Sequence, residues 1–156
     1  MIIGHLAISI LEHRYLNAQL GPVLVGGLFP DLLDKSLCHL LHITPSGRMY
    51  AHTVVGLLAS TITVRVATDR STARSWALGY AGHLVADSGG RLPWWYPFQS
   101  YAFEPSPHID EILKRFLHDR RELALELVLL LWAVIALATA SGSSDRRLRT
   151  AREHRP

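Results

Sequence analysis

Residues 123–140 read LALELVLLLWAVIALATA, a run with one acid, Glu126, and otherwise only apolar residues and threonine. At about 1.5 Å per residue it nearly covers a hydrocarbon core of about 30 Å, which predicts a transmembrane helix. Residues 16–33 and 54–67 are also apolar and could insert, but they carry more interruptions. Glu126 is either a functional intramembrane acid or an interfacial residue within a turn of Arg120-Arg121-Glu122. The composition agrees with a membrane-associated protein: 49% of residues are hydrophobic and mean hydropathy is +0.16, despite 16 basic and 13 acidic side chains. The predicted fold class is an all-α, membrane-associated helical bundle.

At 156 residues the chain suits one domain, placed at 1–141, followed by a basic tail at 142–156. Arg146, Arg147, Arg149, Arg152 and Arg155 crowd that tail. The positive-inside tendency puts it in the cytoplasm, against the inner membrane surface. So short a basic segment gives little reason to expect nucleic-acid binding. The start of the chain shows neither a basic n-region nor a small-residue cleavage site, so no removable signal peptide is expected. Cys38 is the single cysteine. An internal disulfide and a cysteine-based zinc site are therefore excluded, and any metal must be held by histidine and carboxylate.

Spacings of three and four among Ile3, Leu6 and Ile10 predict a first helix to about Tyr15, with His5 beside its apolar face. Residues 16–33 read as a buried helix broken near Pro30. A loop is expected from Cys38 to Arg48 around Pro45-Ser46-Gly47, then a helix over 50–67 and a polar loop over 68–75. Trp76–Asp87 reads as a helix whose glycines and alanines let neighbours approach closely, stopped at Ser88-Gly89-Gly90. The aromatic, proline-interrupted segment 92–98 suits a pocket rim or the membrane interface. From Ile109 to about Ser141 one long helix or two are expected. No strand alternation or internal repeat stands out.

Three segments place ionisable groups among apolar ones: Phe29-Pro30-Asp31-Leu32-Leu33-Asp34, Arg48-Met49-Tyr50-Ala51-His52 and Gly82-His83-Leu84-Val85-Ala86-Asp87. Buried charges are costly unless paired or bound to metal. With His5, these segments supply three imidazoles and three carboxylates, enough for one metal ion and conceivably two. His83 and Asp87, four apart on a helix, present a nitrogen and an oxygen to one point. Asp31 or Asp34 could instead cap a short helix toward Leu41. Arg48 suits recognition of phosphate through its planar fork, or a structural salt bridge to Asp31 or Asp34. His39 and His42 read as exposed or peripheral, and His13, His108, His118 and His154 as solvated. No nucleophile elbow or phosphate-binding glycine loop is present, which argues against serine or cysteine catalysis and nucleotide binding.

In order and spacing these segments resemble the YdjM-like family of bacterial and archaeal inner-membrane proteins, described as LexA-binding, metal-dependent hydrolases. The resemblance rests on His5-Leu6, Pro30-Asp31 with Asp34, Arg48 with His52, Gly79-Tyr80 or Gly82 with His83 and Asp87, and Gly90 through Pro97-Phe98. It covers roughly residues 1–98. Two positions depart from the pattern: Gly47 stands where the family has histidine, and Ala51 replaces a threonine before His52.

The resemblance implies a helical fold distantly like zinc-dependent phospholipase C-type proteins. It also implies hydrolysis of a phosphoester or ester in a lipid or lipid-linked substrate. On that basis His5, Asp31, Asp34, His52, His83 and Asp87 are expected to hold zinc or a similar divalent ion. Asp34 serves as a further ligand or general base, Arg48 binds the anionic group, and Trp94, Trp95 and Tyr96 touch membrane lipid. The competing expectation is a non-enzymatic membrane protein, or an adaptor for a regulatory partner, whose polar residues form an interhelical network. Self-association as a homo-oligomer fits either reading.

Overall fold

Glycines at 26, 27 and 79 decide how the helices meet. A Cβ on Gly26 would run into the Trp76 carbonyl, and one on Gly79 into the Val23 carbonyl. Backbone therefore touches backbone where two helices cross, an approach that only glycine permits. In a computed structural model describing residues 2–89, 92–105 and 118–153, these two helices are α2 (Leu20–Lys35) and α4 (Arg70–Ala86). They form the most extensive helix pair, with α1 (Ile2–Leu16) packed on both and α3 (Val54–Ala67) on α4. A fifth helix, α5 (Arg120–Glu153), lies along α1. The described residues contain no strand, so the all-α expectation holds.

Helix α1 ends where Asn17 takes a left-handed backbone (φ 55°), a conformation asparagine tolerates better than most residues. The break expected near Pro30 is absent: α2 runs through it to Lys35, and Pro30 is buried. One lost backbone hydrogen bond and the ring's crowding cost about 3 kcal/mol. The packing of α2 against α4 outweighs that. Nor does α2 stop at Lys35, because a π-helical turn, Ser36–Leu40, carries it into the expected loop.

Two further boundaries differ from the sequence reading. Helix α3 starts at Val54 rather than at residue 50, with Thr53 capping through its hydroxyl, which accepts from Gly56 N at 2.8 Å. Helix α4 starts six residues before Trp76. Asp69 caps it by accepting from the backbone N–H of Ser71 and Thr72 at 2.7 and 3.1 Å. The polar residues expected in a loop instead line the helix and bind Gln19. Its N–H donates to Ser75 Oγ at 2.8 Å, and Thr72 donates to its Oε1 at 3.0 Å.

Helix α5 is one continuous helix from Arg120 to Glu153, capped by Asp119, so the helical form extends into the segment assigned as tail. Residues 106–117, where the long-helix expectation began, lie outside the described residues. Over Arg120–Thr139 its mean hydropathy is 2.1 with only 17% of that window buried. Among the described residues no other helix is long and apolar enough to cross a membrane. Glu126, Ala133 and Ala136 are buried, whereas Leu127, Val128, Leu131, Val134 and Ile135 stay exposed. A small core of Tyr80, Leu84 and Leu92, with Phe29 and Trp76 against it, sits beneath the crossing of α2 and α4.

Candidate metal centre

Asp34, on the last turn of α2, is fully buried, and its two oxygens accept from a whole loop. The N–H groups of Met49, Tyr50, Ala51 and His52 reach it at 2.7, 3.1, 3.0 and 3.2 Å. These donors cannot also join a helix, which is why α3 begins late. His52 Nδ1 adds a further contact at 2.8 Å to Oδ2. With its lone pairs spent on N–H groups, Asp34 positions His52 and leaves no oxygen for a metal or a reacting water. That place differs from the ligand or base expected of it.

The bond from Nδ1–H to Asp34 fixes His52 as the tautomer whose Nε2 carries the free lone pair. Across from it His83, on α4, donates Nδ1–H to the Gly27 carbonyl at 2.7 Å and so presents Nε2 as well. The two Nε2 atoms face each other at 3.2 Å, both residues at most 1% exposed. Two lone pairs aimed at one another repel unless a cation or a proton lies between them.

Two carboxylates complete the set. Asp31 Oδ1 lies 3.5 Å from His52 Nε2 and 3.9 Å from His83 Nε2, while its Oδ2 accepts from Lys35 Nζ at 2.6 Å. Asp87 Oδ2 lies 3.8 Å from His52 Nε2. Ligand atoms of Asp31, His52, His83 and Asp87 all fall within 4.8 Å of one another. Asp31 Oδ1 is buried and accepts no hydrogen bond, and the equally buried Asp87 Oδ2 meets only the guanidinium of Arg48, at 2.8 Å. Ligand atoms around a tetrahedral zinc, each about 2.0–2.2 Å from it, stand about 3.3 Å apart. Two nitrogens and two oxygens within 4.8 Å of one another can converge on a divalent ion of that kind once the widest separations close by roughly an ångström.

The electrostatics point the same way. Burial, then the neighbouring His5, push the His83 imidazole down to about 4, so it is neutral and able to bind metal at pH 7. Burial opposes ionisation of Asp87, but His5 and Arg48 outweigh it and hold the carboxyl at about 2. Asp31 is likewise desolvated, yet His52 and Lys35 keep it well below the carboxylate range. Burial would lower His52, but Asp31 and Asp34 overcome this and raise it.

His5 stands beside this group rather than in it. Its ring stacks on His83 with centroids 4.0 Å apart, and its buried Nε2 is 3.2 Å from Asp87 Oδ1. Arg48 pairs with Asp87, not with Asp31 or Asp34: Nη2 lies 2.8 Å from Oδ2. On its other side the guanidinium lines a cleft of about 270 Å³ shared with Pro93, Tyr101 and Phe103. In the aromatic segment Trp94 turns inward toward the core, Tyr96 packs on Tyr50 and Phe103, and Trp95 and Phe98 stand exposed.

His39 and His42 lie outside the group, and His13 donates its Nδ1–H to the Ala18 carbonyl at 2.6 Å. His108 and His154 lie outside the described residues. The sequence reading missed three participants. Lys35 was legible as an i,i+4 partner of Asp31. Tyr80, fully buried, donates its hydroxyl to the Ala51 carbonyl and pins the loop that carries His52. The Gly27 carbonyl that orients His83 has no side-chain signature at all.

No curated protein and no solved structure matches the chain. The family described as YdjM inner membrane protein matches residues 1–144, nearly the whole length and a span that includes all four residues of the candidate centre. This chain therefore belongs to the YdjM inner membrane protein family.

Proposed function

We propose that this protein is a membrane-bound metal-dependent hydrolase acting on a phosphoester or ester of a lipid or lipid-linked substrate. The observation that carries the reading is the pair of oriented Nε2 atoms 3.2 Å apart, flanked by the unbonded Oδ1 of Asp31 and by the carboxylate of Asp87. Asp31, His52, His83 and Asp87 would hold the ion, with zinc favoured by the mixed nitrogen and carboxylate set. A divalent ion bound there supplies Lewis acidity and lowers the pKa of bound water toward about 7.

The chain's own residues do the rest. Asp34 and the Gly27 carbonyl keep the two Nδ1 protons in place, so both imidazoles stay oriented. His5 holds Asp87 Oδ1, and Arg48 offers its remaining N–H groups to an anionic oxygen at the mouth of the cleft. Trp95 and Phe98 meet lipid, α5 anchors the protein, and the arginine-rich end lies on the cytoplasmic side. The test is hydrolysis of short-chain phospholipids by purified protein in detergent. Turnover that chelator abolishes, zinc restores and Arg48→Ala reduces by roughly ten-fold or more supports the reading; equal turnover with and without metal contradicts it.

A second reading rests on His52, whose raised proton affinity between Asp31 and Asp34 can close the cluster as a purely hydrogen-bonded interhelical network. That reading expects no metal and no turnover.

A further inference from the structure

The cleft beside Arg48 joins two kinds of group in one small space. Arg48, whose guanidinium pairs with Asp87, is one of its lining residues, so an anion seated on Arg48 adjoins the candidate centre. Glu104 supplies a carboxylate, and Tyr101 and Phe103 supply aromatic faces. These rings are held: the Tyr101 hydroxyl accepts from Trp95 N at 3.2 Å, and Phe103 meets Tyr96 edge-on with centroids 5.3 Å apart. Val54 N donates to the Trp94 carbonyl at 3.0 Å, which ties the aromatic segment to the start of α3, next to His52.

At about 270 Å³ the cleft falls just under the roughly 300–1,000 Å³ of pockets that enclose drug-sized ligands. It is sized for a head group rather than a whole lipid. A carboxylate opposite Arg48 repels a second negative charge. Aromatic faces beside a carboxylate attract a substituted ammonium.

Resting on the phosphoester reading above, we infer that this cleft is a subsite for the phosphoester of a small amino alcohol. The phosphate sits on Arg48, and the ammonium lies between Glu104 and the rings of Tyr101 and Phe103. The shared chemistry is that of phosphoethanolamine or phosphocholine, free or as a lipid head group.

Isothermal titration of the zinc-treated full chain in detergent tests this with phosphoethanolamine, its near-isostere propyl phosphate, which keeps the phosphate and lacks the ammonium, and inorganic phosphate. Phosphoethanolamine is expected to bind about two- to five-fold tighter than propyl phosphate, the scale of an exposed ion pair. Glu104→Gln should erase that preference and leave propyl phosphate unchanged, and Phe103→Ala should lower phosphocholine binding by a similar factor. Equal binding of the two esters, or a Glu104→Gln variant that weakens both alike, overturns the proposal. A short-chain phosphatidylethanolamine arm separates the sources: tighter binding than the free ester marks the lipid head group, and equal binding the free ester, either one keeping the subsite. An ester preference that survives with no metal taken up and no turnover keeps the subsite and removes the hydrolase reading. Phospholipid turnover without any preference does the reverse.

Discussion

The crossing of α2 with α4 and the apolar face of α5 are both made of helix, yet they are held in opposite ways. At the crossing, glycines bring backbones together and polar groups are fixed one by one, His83 by the Gly27 carbonyl and His52 by Asp34. Along α5 the only buried side chains in the described span are Glu126, Ala133 and Ala136, and the large apolar residues face outward. The first region specifies positions to fractions of an ångström. The second specifies an environment, a family of inner-membrane proteins supplying the bilayer. Changes at the crossing should therefore act on geometry, and changes on α5 on membrane association.

The largest effect is expected inside the crossing itself, between two carboxylates three residues apart. Asp34→Ala leaves several buried N–H groups unpaired and should cost about 3–5 kcal/mol, roughly 10 °C or more in Tm. Asp31→Asn should shift Tm by only about 3 °C while weakening zinc binding by more than about 100-fold, beyond the roughly 10–100-fold that loss of an outer-shell partner costs. Thermal unfolding and metal titration on the same preparations check both. Equal Tm losses would erase the distinction drawn between positioning residue and ligand.

Next comes α5. Ala136→Leu overfills its contact with α1 and should cost about 1–3 kcal/mol, whereas Val134→Ala on the outward face should stay within about 0.5 kcal/mol. Unfolding in detergent distinguishes them. Similar losses would mean that the outward face packs against protein.

Titration of the metal-free protein sharpens the contrast further. His83 prefers the neutral form in the fold, so its contribution is complete above its ordinary pKa of 6.5 and is lost as pH falls toward about 4. Glu12, pressed under Gly82 at the α1–α4 contact, behaves oppositely. Burial raises its carboxyl to about 7, so stability is fullest below 4.5 and declines as pH rises through 7. Replacing it with glutamine should flatten the decline and raise Tm at pH 8 by a few degrees at most, the smallest effect here. An unchanged pH profile in Glu12→Gln would contradict its burial as a carboxylate.

Much of the helical fold was legible because its signals are local: the apolar run of 123–140 and the alanine and glycine spacing of α4, although Asp69 and the polar first turn after it read as loop. Other boundaries were not. Pro30 reads as a break in any sequence, and only the packing of α2 on α4 shows that the helix continues. Likewise, nothing in Met49 to His52 announces that their N–H groups belong to a carboxylate fifteen to eighteen residues earlier. The candidate centre was legible as a residue set, since His and Asp among apolar neighbours are conspicuous. The division of labour within it was not, because Asp31 and Asp34 differ only in which way the helix turns them. One faces the imidazoles with an unbonded oxygen, the other a ring of N–H groups.

The central claim is that Asp31, His52, His83 and Asp87 hold a divalent ion. Elemental analysis of the purified full chain, beside the His83→Ala/Asp87→Ala double variant prepared identically, tests it most directly. About one equivalent of zinc or a similar ion in the parent and almost none in the variant is the expected result. Equal, near-zero metal in both, even after incubation with zinc, would contradict it.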